Sequence, residues 1–132
     1  MSLEPVESAA FWTGFRQIQR DAYETAARAG FHDVDEGMAV GSPHWLARVS
    51  QMVTTTIAEL MEAHDIHQRG LWPLDEWHWS EEGKPEGFPV ELADAVIRIL
   101  DTAEALKIDL AGALHVKMLH NTTRKPMHGK LF

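Results

Sequence analysis

Apolar residues recur at helical spacing along four stretches of this chain, and the breaks between them carry turn chemistry. Phe11, Trp12, Phe15, Ile18 and Ala22 follow the helical period, with Ser8 ahead of them as an N-cap and Ala29-Gly30 behind them as a stop. Together they predict a first helix of about 20 residues. A loop from Phe31 to Gly41 follows, with Asp33, Asp35 and Glu36 clustered in it. Ser42-Pro43 reads as an N-cap followed by proline at the first helical position. It opens a second helix running to about Arg69-Gly70, with Leu46, Val49, Val53, Ile57 and Leu60 as its core stripe.

From Leu71 to Pro89 the helical period is lost. Trp72, Trp77 and Trp79 stand among Pro73, Gly83, Pro85, Gly87 and Pro89, which predicts a long ordered loop, because three tryptophans suit a solvated tether poorly. A third helix is expected after Pro89, running to about Leu106. Leu92, Ala93, Val96, Ile97, Ile99, Leu100 and Ala103 cover most of its circumference. Glu91, Asp94, Arg98 and Asp101 fall at i, i+3, i+7 and i+10 and form one narrow polar stripe on an otherwise buried helix. Asp109 caps a fourth helix through about Asn121, with Leu110, Ala113, Leu114, Val116 and Met118 on its apolar side. The fold class this predicts is all-α, a bundle of four to five helices in a single domain spanning residues 1–132.

Composition narrows the chemistry. A hydrophobic share of 45% is too high for a disordered chain, and the net charge of −8 disfavours a nucleic-acid polymer as partner. A nucleotide remains compatible, because a bound cation reverses the local sign. Cysteine is absent, which excludes disulfides, zinc–thiolate sites and a thiol nucleophile. The acidic start Met1-Ser-Leu-Glu-Pro-Val-Glu is unlike a signal peptide, and no apolar run is long enough to span a membrane. A cytoplasmic protein without a membrane partner is expected.

The candidate chemistry lies in two acidic pairs, Glu59/Glu62 and Glu91/Asp94, each at i, i+3 in an apolar segment. Each pair projects from one helix face, where like charges repel unless a cation neutralises them. Oxygen-only ligands point to Mg²⁺, with Mn²⁺ as the alternative. Glu4/Glu7, Asp21/Glu24, Asp33/Glu36 and Asp101/Glu104 share the spacing, and most such pairs are simply solvated faces. Glu91/Asp94 differs in sitting on a helix that is apolar nearly everywhere else. An Asp94–Arg98 ion pair at i, i+4 accounts for Asp94 but leaves Glu91 unexplained. His64 and His67 suggest a di-iron bundle, but no Glu in the chain has His three residues later, as such sites require. Lys117, Asn121 and Arg124, at i, i+4 and i+7, would share a basic face suited to phosphate oxygens if the helix continued that far; the alternative is favourable placement of cations at a helix C-terminus.

In order and spacing, Glu59-Leu-Met-Glu62, then Glu91-Leu-Ala-Asp94, then Lys117, Asn121, Arg124, Pro126 and His128-Gly129 resemble the MazG-like family of all-α nucleoside triphosphate pyrophosphohydrolases. The resemblance covers residues 43–130, with the interval between the acidic pairs at the family's long end. Thr56 stands where relatives often carry a further Glu, and their aromatic-basic segment has no clear counterpart around Pro43 to Trp45. The resemblance implies a MazG-type bundle that assembles as a dimer or a dimer of dimers. It further implies Mg²⁺-dependent cleavage of a (d)NTP to a (d)NMP and pyrophosphate, as in clearance of surplus nucleotides. Glu59, Glu62, Glu91 and Asp94 would hold the metal, Glu59 or Glu62 would serve as base, and Lys117, Asn121 and Arg124 would bind substrate. A nucleotide-sensing homologue without turnover and a hydrolase of a phosphoribosyl-ATP-like metabolite are the competing readings. Trp45, Trp72, Trp77 and Trp79 are candidates either for stacking on a base or for packing the loop.

Overall fold

The computed structural model describes residues 8–71 and 73–126; Trp72 and the His128-Gly129 part of the closing motif lie outside them. Four α-helices run in order: α1 (Ala9–Arg28), α2 (Pro43–Arg69), α3 (Phe88–Ala105) and α4 (Leu110–Thr122). The capping chemistry accounts for their ends. The Phe11 amide donates to Ser8 Oγ at 3.4 Å, the Trp45 amide to Ser42 Oγ at 3.1 Å, and the Gly112 amide to Asp109 Oδ1 at 3.0 Å. At the end of α2, Gly70 takes a left-handed φ of 59°, and the Leu71 amide reaches back to the Ile66 carbonyl. Lys107 fills the same role after α3 with φ 56°.

The aromatic loop is not wholly irregular. His78–Trp79 (β1) and Pro85–Glu86 (β2) pair antiparallel, with His78 opposite Glu86 and Trp79 opposite Pro85. Proline at the ladder's end is tolerated because so short a hairpin asks little of its amide. Gly87, with φ 134°, joins the hairpin to α3; a Cβ there would stand 2.9 Å from the Glu76 carbonyl oxygen, so this close approach requires glycine. α3 begins at Phe88, one turn-half earlier than the proline implies, because proline fits the first turn of a helix.

α3 is the hub: α1 and α2 both pack along it, while α4 folds back onto α1. The buried apolar side chains are Trp12, Met52, Leu100 and the alanines Ala63, Ala95, Ala103 and Ala111. Alanines let the helices approach closely but bury little area each. Gln19 ties α1 to the end of α3, donating to Glu104 at 3.0 Å and to the Ile108 carbonyl at 3.1 Å.

Two expectations from the hydrophobic pattern are corrected. In the α2 stripe only Val49 is partly covered; Leu46, Val53, Ile57 and Leu60 are exposed, and Met52 and Ala63 face the core instead. α3 is turned the same way. Its polar stripe of Glu91, Asp94, Arg98 and Asp101 is the covered side, with Asp101 buried, whereas Leu92, Val96, Ile97 and Ile99 are exposed. Arg98 and Asp101 tolerate the inward position because they meet Glu59 and His32 there, whereas Glu91 keeps a buried oxygen without a donor. No helix among the described residues is long and apolar enough to cross a membrane.

Candidate metal centre

Two helices crossing side by side bring together acidic residues far apart in sequence. Glu59 and Glu62 stand one turn apart on α2, and Glu91 lies in the first turn of α3. One carboxylate oxygen from each lies within 4.8 Å of the others, the one such cluster of acidic, His or Cys groups among the described residues. Asp94, one turn further along α3, is close enough to act on Glu91 electrostatically but stands outside that trio.

Glu91 carries the electrostatic cost. Burial, then a hydrogen bond with Glu62, then the charges of Glu62, Asp94 and Glu59 push its carboxyl up to about 7. Its Oε2 is buried with no donor in reach. Two carboxyls can share a hydrogen bond only if one keeps a proton, so that contact adds to the effect of burial in raising the value. A divalent cation relieves both the raised value and the orphaned oxygen, and an all-oxygen donor set suits a hard ion such as Mg²⁺. The residues present therefore fit a cation.

Arg98 departs from the simplest helical expectation. Its Nε donates to Glu59 Oε1 across the helix interface at 3.3 Å, not to Asp94 on its own helix, and its guanidinium lies 5.8 Å from the Phe31 ring centre. Behind it, His32 is buried with each ring nitrogen 2.6 Å from a carboxylate oxygen, Nδ1 to Asp35 and Nε2 to Asp101. Arg48 completes the network, donating to Asp35 at 2.7 Å and to the Phe31 carbonyl at 2.8 Å. Burial alone would raise the Asp35 carboxyl, but hydrogen bonds and charge from Arg48 and His32 outweigh it and hold it below 3.8. This network pins the α1–α2 loop against α3 beside the acidic cluster. Of the loop acids Asp33, Asp35 and Glu36, only Asp35 joins this network; the partner role of His32 depends on contact with Asp101, 69 residues away.

The other sequence-derived candidates fall elsewhere. Lys117 and Asn121 are exposed on α4, and Arg124 lies past the helix end at Thr122, so the three do not share a continuous helical face. No ion pair links them to the acidic cluster among the described residues. Thr56 spends its hydroxyl on the Met52 carbonyl at 3.1 Å, as serines and threonines inside helices do. Of the look-alike acidic pairs, Asp101 and Glu104 serve as acceptors for His32 and Gln19. Trp79 in the hairpin and Trp77 just before it are exposed, and Trp45 lines a separate cavity of about 320 Å³ with Tyr23 and Arg48. The aromatic ring beside the cluster is Phe31, which the tryptophan count passed over.

Comparison with known proteins found no matching family model, curated protein or solved structure.

Proposed function

We propose that the protein is a Mg²⁺-dependent pyrophosphohydrolase of nucleoside triphosphates, releasing a monophosphate and pyrophosphate. The observation that carries this reading is the convergence of Glu59, Glu62 and Glu91 from two helices, with Glu91 held partly protonated and one oxygen lacking a donor. Such a cluster is costly without a cation, and the spacing of its residues resembles that of the MazG-like enzymes. With Asp94 beside them, these residues would hold Mg²⁺, which neutralises phosphate charge and makes a bound water more acidic. Glu62 is the exposed member and no ion pair engages it among the described residues, which makes it the candidate to accept the proton of an attacking water. Glu59 is engaged by Arg98 and serves better as ligand than as base. Lys117, Asn121 and Arg124 remain candidates for phosphate oxygens, supplied by the same or a second chain.

A second copy of the chain is part of the proposal. Leu46, Val53, Ile57, Leu60 and Met61 on α2 and Leu92, Val96 and Ile99 on α3 are exposed apolar residues at helical spacing. Apolar stripes of this extent mark an association surface.

The test is pyrophosphate release from a panel of (d)NTPs with and without Mg²⁺. Glu62→Gln is expected to lower turnover by about a hundredfold or more, the scale of losing a positioned general base. Full Mg²⁺-dependent turnover by that variant would sink the assignment. Tight binding without turnover by the native chain would identify a nucleotide sensor instead.

A further inference from the structure

A cleft of about 450 Å³ opens between α1 and α3 directly beside the acidic cluster, and Glu59 and Asp94 form part of its wall. Its volume falls in the range of small-molecule sites. On the α1 side Ala22, Ala26 and Ala29 recur at i, i+4 and i+7 and leave room between the helices, while Asp21 and Thr25 on the same wall add polar groups within reach of a ligand. Opposite stand Ile97 and the ring of Phe31, which is 58% exposed although it sits in a recess. Arg98 lies at the junction, between the Phe31 ring and Glu59.

A slot with small alanine side chains on one wall, an exposed aromatic ring and a guanidinium on the other, and the Asp21 and Thr25 side chains as hydrogen-bonding groups suits a planar heterocycle with polar edges, which stacks on such surfaces. Carboxylates at one end place a metal-bound polyphosphate next to it. From this juxtaposition we propose that the cleft between α1 and α3 takes the base of the nucleotide, with Phe31 as its stacking partner and the alanine face as the opposite wall. The inference rests on the metal–phosphate reading above. It assigns base recognition to α1 and its following loop, and not to the tryptophans.

The experiment separates the two readings with two probes on the full chain in Mg²⁺: inorganic tripolyphosphate, which has no base, and the non-hydrolysable α,β-methylene analogue of the preferred nucleotide. Calorimetry on the native protein is expected to show the analogue binding roughly tenfold or more tighter than tripolyphosphate, as removal of a stacked base would imply. Ala26→Leu, which fills the slot, should abolish that advantage and leave tripolyphosphate affinity unchanged. Phe31→Ala, at an exposed side chain, should reduce it and carries the test alone if Ala26→Leu does not fold. Equal nucleotide affinity in native protein and folded variants would overturn the base assignment while leaving the metal–phosphate reading intact. Failure of both probes to bind would overturn that reading and this inference with it.

Discussion

Glu91 and Asp35 are carboxyls displaced in opposite directions, and the pair sets how the metal-free protein responds to pH. Glu91 is raised from 4.5 to about 7 by burial and by the neighbouring carboxylates, so the folded chain holds a proton that the unfolded chain releases. Stability from this group is therefore present in acid and is lost as pH rises from about 4.5 through about 7. Asp35, held below 3.8 by Arg48 and His32 against the effect of burial, contributes above 3.8 and loses its contribution as pH falls through its lowered value. Metal-free protein should be most stable on the acidic side of neutrality, and Mg²⁺ should remove the decline toward neutral pH by taking the place of the Glu91 proton. Urea midpoints measured across that window, with EDTA and with Mg²⁺, check this; a flat metal-free profile in Glu91→Gln is the expected control. His32 gives a second prediction at this scale. His32→Ala leaves Asp101 buried without its partner and should cost about 3 kcal/mol in chemical denaturation.

At the level of elements, helix ends were legible from local chemistry and helix faces were not. Ser8, Ser42 and Asp109 act within three residues of themselves, so the caps they predict are the caps observed. Which face of α2 or α3 turns inward depends instead on what the neighbouring helix offers. α3 hides its charged stripe because Arg98 meets Glu59 and Asp101 meets His32, and alanine-lined contacts leave the larger apolar residues outside. Two substitutions separate these effects. Ser42→Ala should cost about 1 kcal/mol through loss of the cap. Leu100→Ala, at the largest buried aliphatic side chain of α3, should cost about 2–5 kcal/mol, and thermal unfolding distinguishes the two.

For the whole molecule, the exposed apolar residues of α2 and α3 are the dominant fact. Seven buried apolar side chains, four of them alanine, make a thin core among the described residues. Light scattering is expected to give twice the 14.9 kDa mass of one chain, and Ile57→Glu should shift the protein toward that single-chain mass. A native protein that stays at 14.9 kDa at all concentrations would refute the second-copy proposal.

By itself the sequence determined that the chain is mostly helical, where its four main helices lie, the caps at Ser8, Ser42 and Asp109, and the acidic pairs worth pursuing, because periodicity, capping and turn residues act over a few positions. It also marked Glu59, Glu62, Glu91 and Asp94 as one set through a family resemblance. Only the tertiary structure decided that Glu59, Glu62 and Glu91 converge while Asp94 stands beside them, and that Arg98 turns to Glu59. The same holds for the recess that Phe31 and an alanine face of α1 form next to the cluster. Those facts depend on how α1 and α2 rotate against α3, which is set by contacts between residues tens of positions apart and leaves no trace in local spacing.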